Sequence, residues 1–195
     1  MAYTTKALVK VLLGIASADT DDDDLIDDLI EQSQDIIDSF TFRTFEASAD
    51  TTRTFDADSD VEGRNLYLDD DLASITSITN GDADVLTTSE YTTEPRNTTP
   101  IDTIQLLPSS GLSWQSDSTT GDSEDAISIV GKWAYSATAP NGIVRACQEM
   151  AVLFYRQRDT SGDLNRTIIA GTATILPAGL SVVTTRYLQS VRRIV

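Results

Sequence analysis

The chain has 195 residues, with 14 Lys and Arg against 31 Asp and Glu, no histidine and one cysteine, Cys147. A formal net charge of −17 argues against general nucleic-acid binding, because neutralising phosphates takes a Lys/Arg surface. A lone cysteine excludes an internal disulfide, and the lack of histidine excludes Ser-His-Asp and Cys-His catalysis and His-containing zinc sites.

Apolar residues make up 40% and charged residues 23%, the composition of a globular chain long enough to bury a core without staples. No apolar run approaches the ~20 residues of a membrane helix, so no membrane association is expected. The first fifteen residues lack a signal-peptide core and read as a helix instead. Charge is uneven. Residues 19–28 hold seven aspartates, whereas residues 164–195 hold Arg166, Arg186, Arg192 and Arg193 and no acid. A basic tail on an acidic body points to a charged partner or a neighbouring subunit.

In chain order, a short helix is expected over 5–13, capped by Thr4 or Thr5 and stopped at Gly14, with Ala7, Leu8, Val11 and Leu12 on one face. A second helix follows. Leu25, Ile26, Leu29, Ile30, Ser33, Ile36, Ile37 and Phe40 recur at three and four residues, and the aspartates at 21–24 sit where the helix dipole favours anions. From 42 to about 135 the helical period disappears. Short strands are expected over 53–55, 65–68, 74–79, 85–87, 103–107 and 126–134. Asn80-Gly81 predicts a tight hairpin, the segment 119–122 a second turn, and Pro95, Pro100 and Pro108 mark loops. Helix returns after Pro140, with Asn141 as its cap and Ile143, Ala146, Cys147, Met150, Ala151 and Phe154 in an apolar stripe. Arg145, Arg156 and Arg158 lie mostly off that stripe. Gly162, Gly171, Pro177 and Gly179 argue for loop. A last helix is expected over 181–193, with Val183, Tyr187, Val191 and Ile194 on one face.

The sequence therefore reads as α+β: a small helical bundle formed by N- and C-terminal helices (1–41 and 140–195), with a β-rich insertion between them (42–139), in one composite domain. Chemistry is hard to find in it. No nucleophile elbow occurs, and the P-loop pattern fails because Ala126 stands at the first glycine and Trp133 follows Lys132. Cys147 falls on an apolar stripe, where a packing role is expected. Asp19, Asp21 and Asp23 match the first three ligand positions of a calcium loop, but Asp24 replaces its glycine and Ile30 its closing glutamate. Trp114 and Trp133 could stack on a sugar, yet tryptophans in strands usually pack in cores or interfaces. No catalytic residue, cofactor or metal site is expected.

The order of features resembles the head–tail connector, or adaptor, family of long-tailed bacteriophages and gene-transfer particles. The likeness rests on Leu12-Leu13-Gly14-Ile15 closing the first helix, Ile37-Asp38-Ser39-Phe40 followed by Arg43-Thr44-Phe45, and Tyr91 with Pro95 and Pro100 downstream. It continues through Gly131-Lys132-Trp133-Ala134-Tyr135 and Leu153-Phe154-Tyr155-Arg156-Gln157-Arg158 to Tyr187 and Arg192-Arg193. Ala134 departs from the family's usual glycine, and the insert is long.

The resemblance implies a non-enzymatic virion protein, made in the bacterial host cytoplasm and placed at the neck. Such a protein would bind the portal as a twelvefold ring of its own copies and meet the next neck or tail-side protein. It would extend a channel through which DNA passes without sequence-specific binding; an acidic wall repels DNA rather than gripping it. The resemblance further implies that Arg186, Tyr187, Arg192, Arg193, Ile194 and Val195 contact the portal. Three rivals stand beside it: another neck or tail-completion subunit such as a tail terminator, a free-standing binding module built on the β-rich insert, and a carbohydrate enzyme using paired carboxylates.

Overall fold

The computed structural model describes residues 2–158, 169–170, 173–174 and 179–193. The protein is α+β, with four α-helices and two antiparallel sheets besides one two-residue pairing among the described residues. It divides into two units, Met1–Arg43 with Ala139–Val195, and Thr44–Thr138. The first unit draws on both ends of the chain; the second is one continuous stretch.

The helical unit contains α1 (Lys6–Leu13), α2 (Asp23–Thr41), α3 (Asn141–Gln157) and α4 (Val182–Ser190). Thr5 caps α1 by accepting from the Leu8 N–H at 3.4 Å, and Gly14 ends it at φ 76. The expected apolar face of α1 is not its buried one. Val9 and Lys10 are buried, while Leu8, Val11 and Leu12 are 49%, 75% and 50% exposed. Lys10 decides this. Its ammonium donates to the Ser17 carbonyl at 3.4 Å, to the Asp19 carbonyl, and to the Asp23 carboxylate at 2.7 Å. A buried charge holds its place only when paired and hydrogen-bonded in this way. The helix is thereby turned so that Leu8 and Leu12 face outward.

The buried faces of α2 (Ile26, Ile30, Ser33, Ile36, Ile37) and α3 (Ile143, Ala146, Cys147, Met150, Ala151) follow the apolar periods in the sequence. The two faces meet, with the Cys147 thiol 3.8 Å from the Ile30 carbonyl. Asn141 is the first residue of α3 rather than its cap. The Pro140 carbonyl accepts from the N–H groups of Ile143 and Val144 at 2.8 and 3.0 Å instead. The expected loop over 161–179 lies mostly outside the described residues. Within it, β8 (Ile169–Ala170) and β9 (Ala173–Thr174) pair antiparallel.

In the second unit, β1 (Thr51–Phe55), β7 (Ile127–Lys132) and β4 (Ser74–Thr79) form one sheet in the order β1-β7-β4. The other sheet runs β2-β3-β6-β5, from β2 (Val61–Glu62), β3 (Asn65–Leu72), β6 (Ile101–Leu106) and β5 (Tyr91–Glu94). Alternating residues of both sheets, among them Ile127, Ile129, Ile78, Leu66, Ile104 and Leu106, fill one core together with Trp114 and Trp133. Each indole N–H reaches a backbone carbonyl: Trp114 donates to Arg64 at 3.0 Å and Trp133 to Thr51 at 3.1 Å. Both tryptophans are thus core residues.

Asn80-Gly81 does not form the tight turn its dipeptide suggests. Neither residue has positive φ; Ala83 does, at 67. Asn80 is buried, donating to the Ser113 carbonyl at 3.0 Å and accepting from the Gln115 N–H at 3.1 Å. A Cβ on Gly81 would lie 2.0 Å from the Gln115 carbonyl oxygen, so this glycine serves a close backbone approach. The expected strand over 85–87 is reduced to one bridge between Thr79 and Val85. The turn at 119–122 does form. Gly121 takes φ 82, and the Asp117 carboxylate accepts from the Thr119 and Thr120 N–H groups at 2.7 and 2.9 Å.

Candidate interaction surface

The C-terminal segment was expected to carry the docking residues, and its geometry starts with Ser181. The Ser181 hydroxyl caps α4 by accepting from the Thr184 N–H at 3.2 Å. The Glu149 carboxylate on α3 accepts from the Ser181 N–H at 2.5 Å and from the Ser181 and Thr184 hydroxyls. This polar knot fixes how α4 is turned. Thr184 and Leu188 are buried with Leu180, whereas Val183, expected on the inner face, is 74% exposed. A pattern read from apolar residues alone put the wrong face inward, because a buried threonine satisfied by Glu149 outranked a valine.

Four of the six candidate contacts lie among the described residues. Arg186 is exposed on α4, and no carboxylate partner among the described residues holds it. Tyr187 is half-buried and lies against α3, close enough that a Cβ on Gly142 would stand 2.3 Å from its ring. The Arg192 guanidinium sits 5.2 Å from the Phe40 ring centroid and 5.1 Å from that of Phe42, at cation–π distance from both. The Arg193 N–H donates to the Thr41 carbonyl at 2.8 Å. Ile194 and Val195 lie outside the described residues. Arg192 and Arg193 are thus tied to the C-terminus of α2, where Phe42 takes the left-handed conformation at φ 55 and is 43% exposed. For a bulky residue that conformation costs about 1–2 kcal/mol, and it keeps the Phe42 ring beside Arg192.

The aromatic motifs also find partners within their own units. Phe40 meets Arg192. Phe45, fully buried, packs on Tyr135 with centroids 5.4 Å apart, where Tyr135 N–H donates to the Thr44 carbonyl at 2.8 Å.

A second surface was not anticipated. α1 and α3 enclose a groove of about 500 Å³ lined by Leu12, Arg145, Gln148, Glu149, Val152 and Arg156. Arg145 and Arg156 are exposed and make no ion pair among the described residues. Their spacing was legible in the sequence; that Leu12 joins them was not, because it depends on Lys10.

The acidic link is engaged by the protein's own cations. Lys10 holds the Asp23 carboxyl below its ordinary range. The Tyr155 hydroxyl and, at 2.8 Å, the Arg158 guanidinium do the same for Asp22. No group of His, Cys, Asp or Glu among the described residues is placed to hold a metal ion. Burial pushes the Cys147 thiol up to about 12, leaving it protonated at neutral pH. Among the described residues, no helix is long and apolar enough to cross a membrane.

No family model matches the sequence, and no curated protein does. The fold, however, is similar to that of solved chains. One comes from the neck of an empty gene transfer agent (GTA) particle computed with C6 symmetry, with TM-score 0.58 and 16% identity over 96% of this chain and 88% of that one. Another comes from the virion of a native GTA particle, with TM-score 0.55 and 14% identity over the same shares. The likeness runs through both the helical unit and the β-rich insertion and is a likeness of fold.

Proposed function

We propose that this chain is a structural neck protein of a tailed phage or gene-transfer particle, an adaptor that binds the portal as a ring and joins head to tail. The observation that carries this reading is the breadth of the likeness. It spans 96% of the chain, insert included, and the matched chain lies in a particle neck. In this reading the protein makes or breaks no bond and needs no cofactor. Its work is to extend the DNA channel and offer a platform to the next neck or tail-side protein. A net charge of −17 suits a channel wall that DNA must slide past without being held. A twelvefold ring is compatible with a neck computed in C6 symmetry, since six divides twelve.

The test is electron microscopy of lysates from a particle-producing strain in which this gene is inactivated. DNA-filled or leaking heads beside complete, separate tails are expected. Intact infectious particles would overturn the reading. A ring that stays with purified tails instead of heads would identify a tail-terminator-type subunit.

A further inference from the structure

Two charged stripes run along the helical unit. On α2, Asp24, Asp28, Glu31 and Asp35 are exposed and recur at four, three and four residues, so they form one line. None takes part in an ion pair among the described residues. On α3, Arg145 and Arg156 are likewise exposed and unpaired, with Val152 between them and Leu12 of α1 alongside. The one carboxylate in that groove, Glu149, is already taken by Ser181 and Thr184. Each stripe spans twelve residues, whose ends lie about 16 Å apart along the helix.

Their directions matter as much as their charges. α2 and α3 pack through Ile26, Ile30 and Ile37 against Ile143, Cys147 and Met150. At about 100° per residue, each charged stripe lies on the far side of its helix from that contact. The acidic line and the arginine groove therefore point away from each other, on opposite sides of the α2–α3 pair. One molecule cannot satisfy both, but two copies stacked in the same sense can. This is a head-to-tail interface, which closes into a ring when the rotation between copies permits.

We infer that the Arg145–Arg156 groove of one subunit receives the acidic stripe of α2 from a second copy of this chain, and that repetition of this contact builds the ring. The inference rests on the ring reading above and names the surfaces that make it. A second copy is favoured because the chain itself supplies a stripe of matching length and opposite sign. Nucleic acid is disfavoured by a body of charge −17 around two arginines. Leu12 and Val152 give the groove an apolar floor that dries the ion pairs and strengthens them.

The test uses the full chain, purified, with oligomer size read by light scattering and negative-stain microscopy at low and high salt. Wild type is expected to form rings that weaken as salt rises. Arg145→Glu with Arg156→Glu, and separately Asp28→Lys with Glu31→Lys, are each expected to weaken association about a hundredfold or more while leaving the circular dichroism unchanged. Mixing the two variants in equal amounts should restore rings, because each then meets a complementary face. Rings that form despite both charge reversals, or variants that stay apart when mixed, would overturn this interface; in the first case the groove serves an unlike protein. A wild type that forms no ring at any concentration, alone or with the portal, would overturn the ring reading as well, so the two failures are distinguishable.

Discussion

The ring of Tyr187 lies so close over Gly142 that a Cβ on the glycine would stand 2.3 Å from its Cε1 and Cζ atoms. Glycine in the first turn of α3 sacrifices about 0.5–1 kcal/mol of helix propensity relative to alanine. Here it lets α4 dock. Gly142→Ala must displace the ring, and overpacking of this kind costs about 1–3 kcal/mol, so the expected net effect is a loss of about 1 kcal/mol. In a Tyr187→Ala background the clash is gone and the same substitution should stabilise instead. Urea unfolding of the four proteins in a double-mutant cycle checks the change of sign.

Asp38 gives a pH dependence of known direction. Burial raises its carboxyl from 3.8 to about 6, against the opposing pull of the Tyr3 hydroxyl, which donates to it at 2.7 Å; the neighbouring Asp35 adds to the rise. In the unfolded chain the carboxyl ionises first. This group's share of stability is therefore full below about pH 4 and is lost as pH climbs from about 4 to 6. Asp38→Asn keeps an acceptor for Tyr3 and removes the charge. It should raise the melting temperature at pH 8, by about 1 kcal/mol of stability once solvent screening is allowed for, and lose that advantage at pH 4. Melting curves of both proteins at pH 4, 6 and 8 decide it.

In the proposed adaptor role, truncations of the C-terminal segment separate docking from folding. Removing residues 191–195 takes away Arg192 and its contact with Phe40 and Phe42 but leaves α4 whole. That truncation should abolish portal capture in a pull-down and cost no more than about 1 kcal/mol of stability. Removing residues 186–195 also takes Leu188, which is fully buried, and should cost about 3 kcal/mol more. Equal portal capture by the shorter truncation and the intact chain would remove Arg192 and Arg193 from the contact.

The sequence was most legible where burial followed a simple period. The apolar stripes of α2 and α3 predicted their buried faces, because each helix packs one face on the other. β6 and β7 alternate as strands facing one core do. Failures arose where a polar residue set the geometry. Lys10 turned α1 by finding three oxygens, and Thr184 turned α4 by finding Glu149. β5 was missed because Tyr91–Glu94 is an edge strand with no fully buried side chain, hence no alternation to read. Asn80-Gly81 misled because its glycine answers to a distant segment, 115–116, rather than to its own turn. Within the candidate site, the basic character of the tail was visible in composition. That Arg192 folds back onto Phe40 and Phe42 was not, since nothing local dictates it.

A bundle assembled from both ends of one chain also sets a timetable for synthesis. α2 is complete at Thr41, and its partner α3 begins only at Asn141, after the whole β-rich insertion has emerged. At about 5–20 residues per second the interval is about 5–20 s. During it the insertion, whose contacts lie within one continuous stretch, can fold on the ribosome. Ile26, Ile30, Ile36 and Ile37 meanwhile wait without their cover, kept soluble by the carboxylates on the opposite side of their helix. The arginine groove does not exist until α3 arrives, so nascent chains have no complete surface with which to capture one another. Under the proposed interface, assembly waits until α3 has been made.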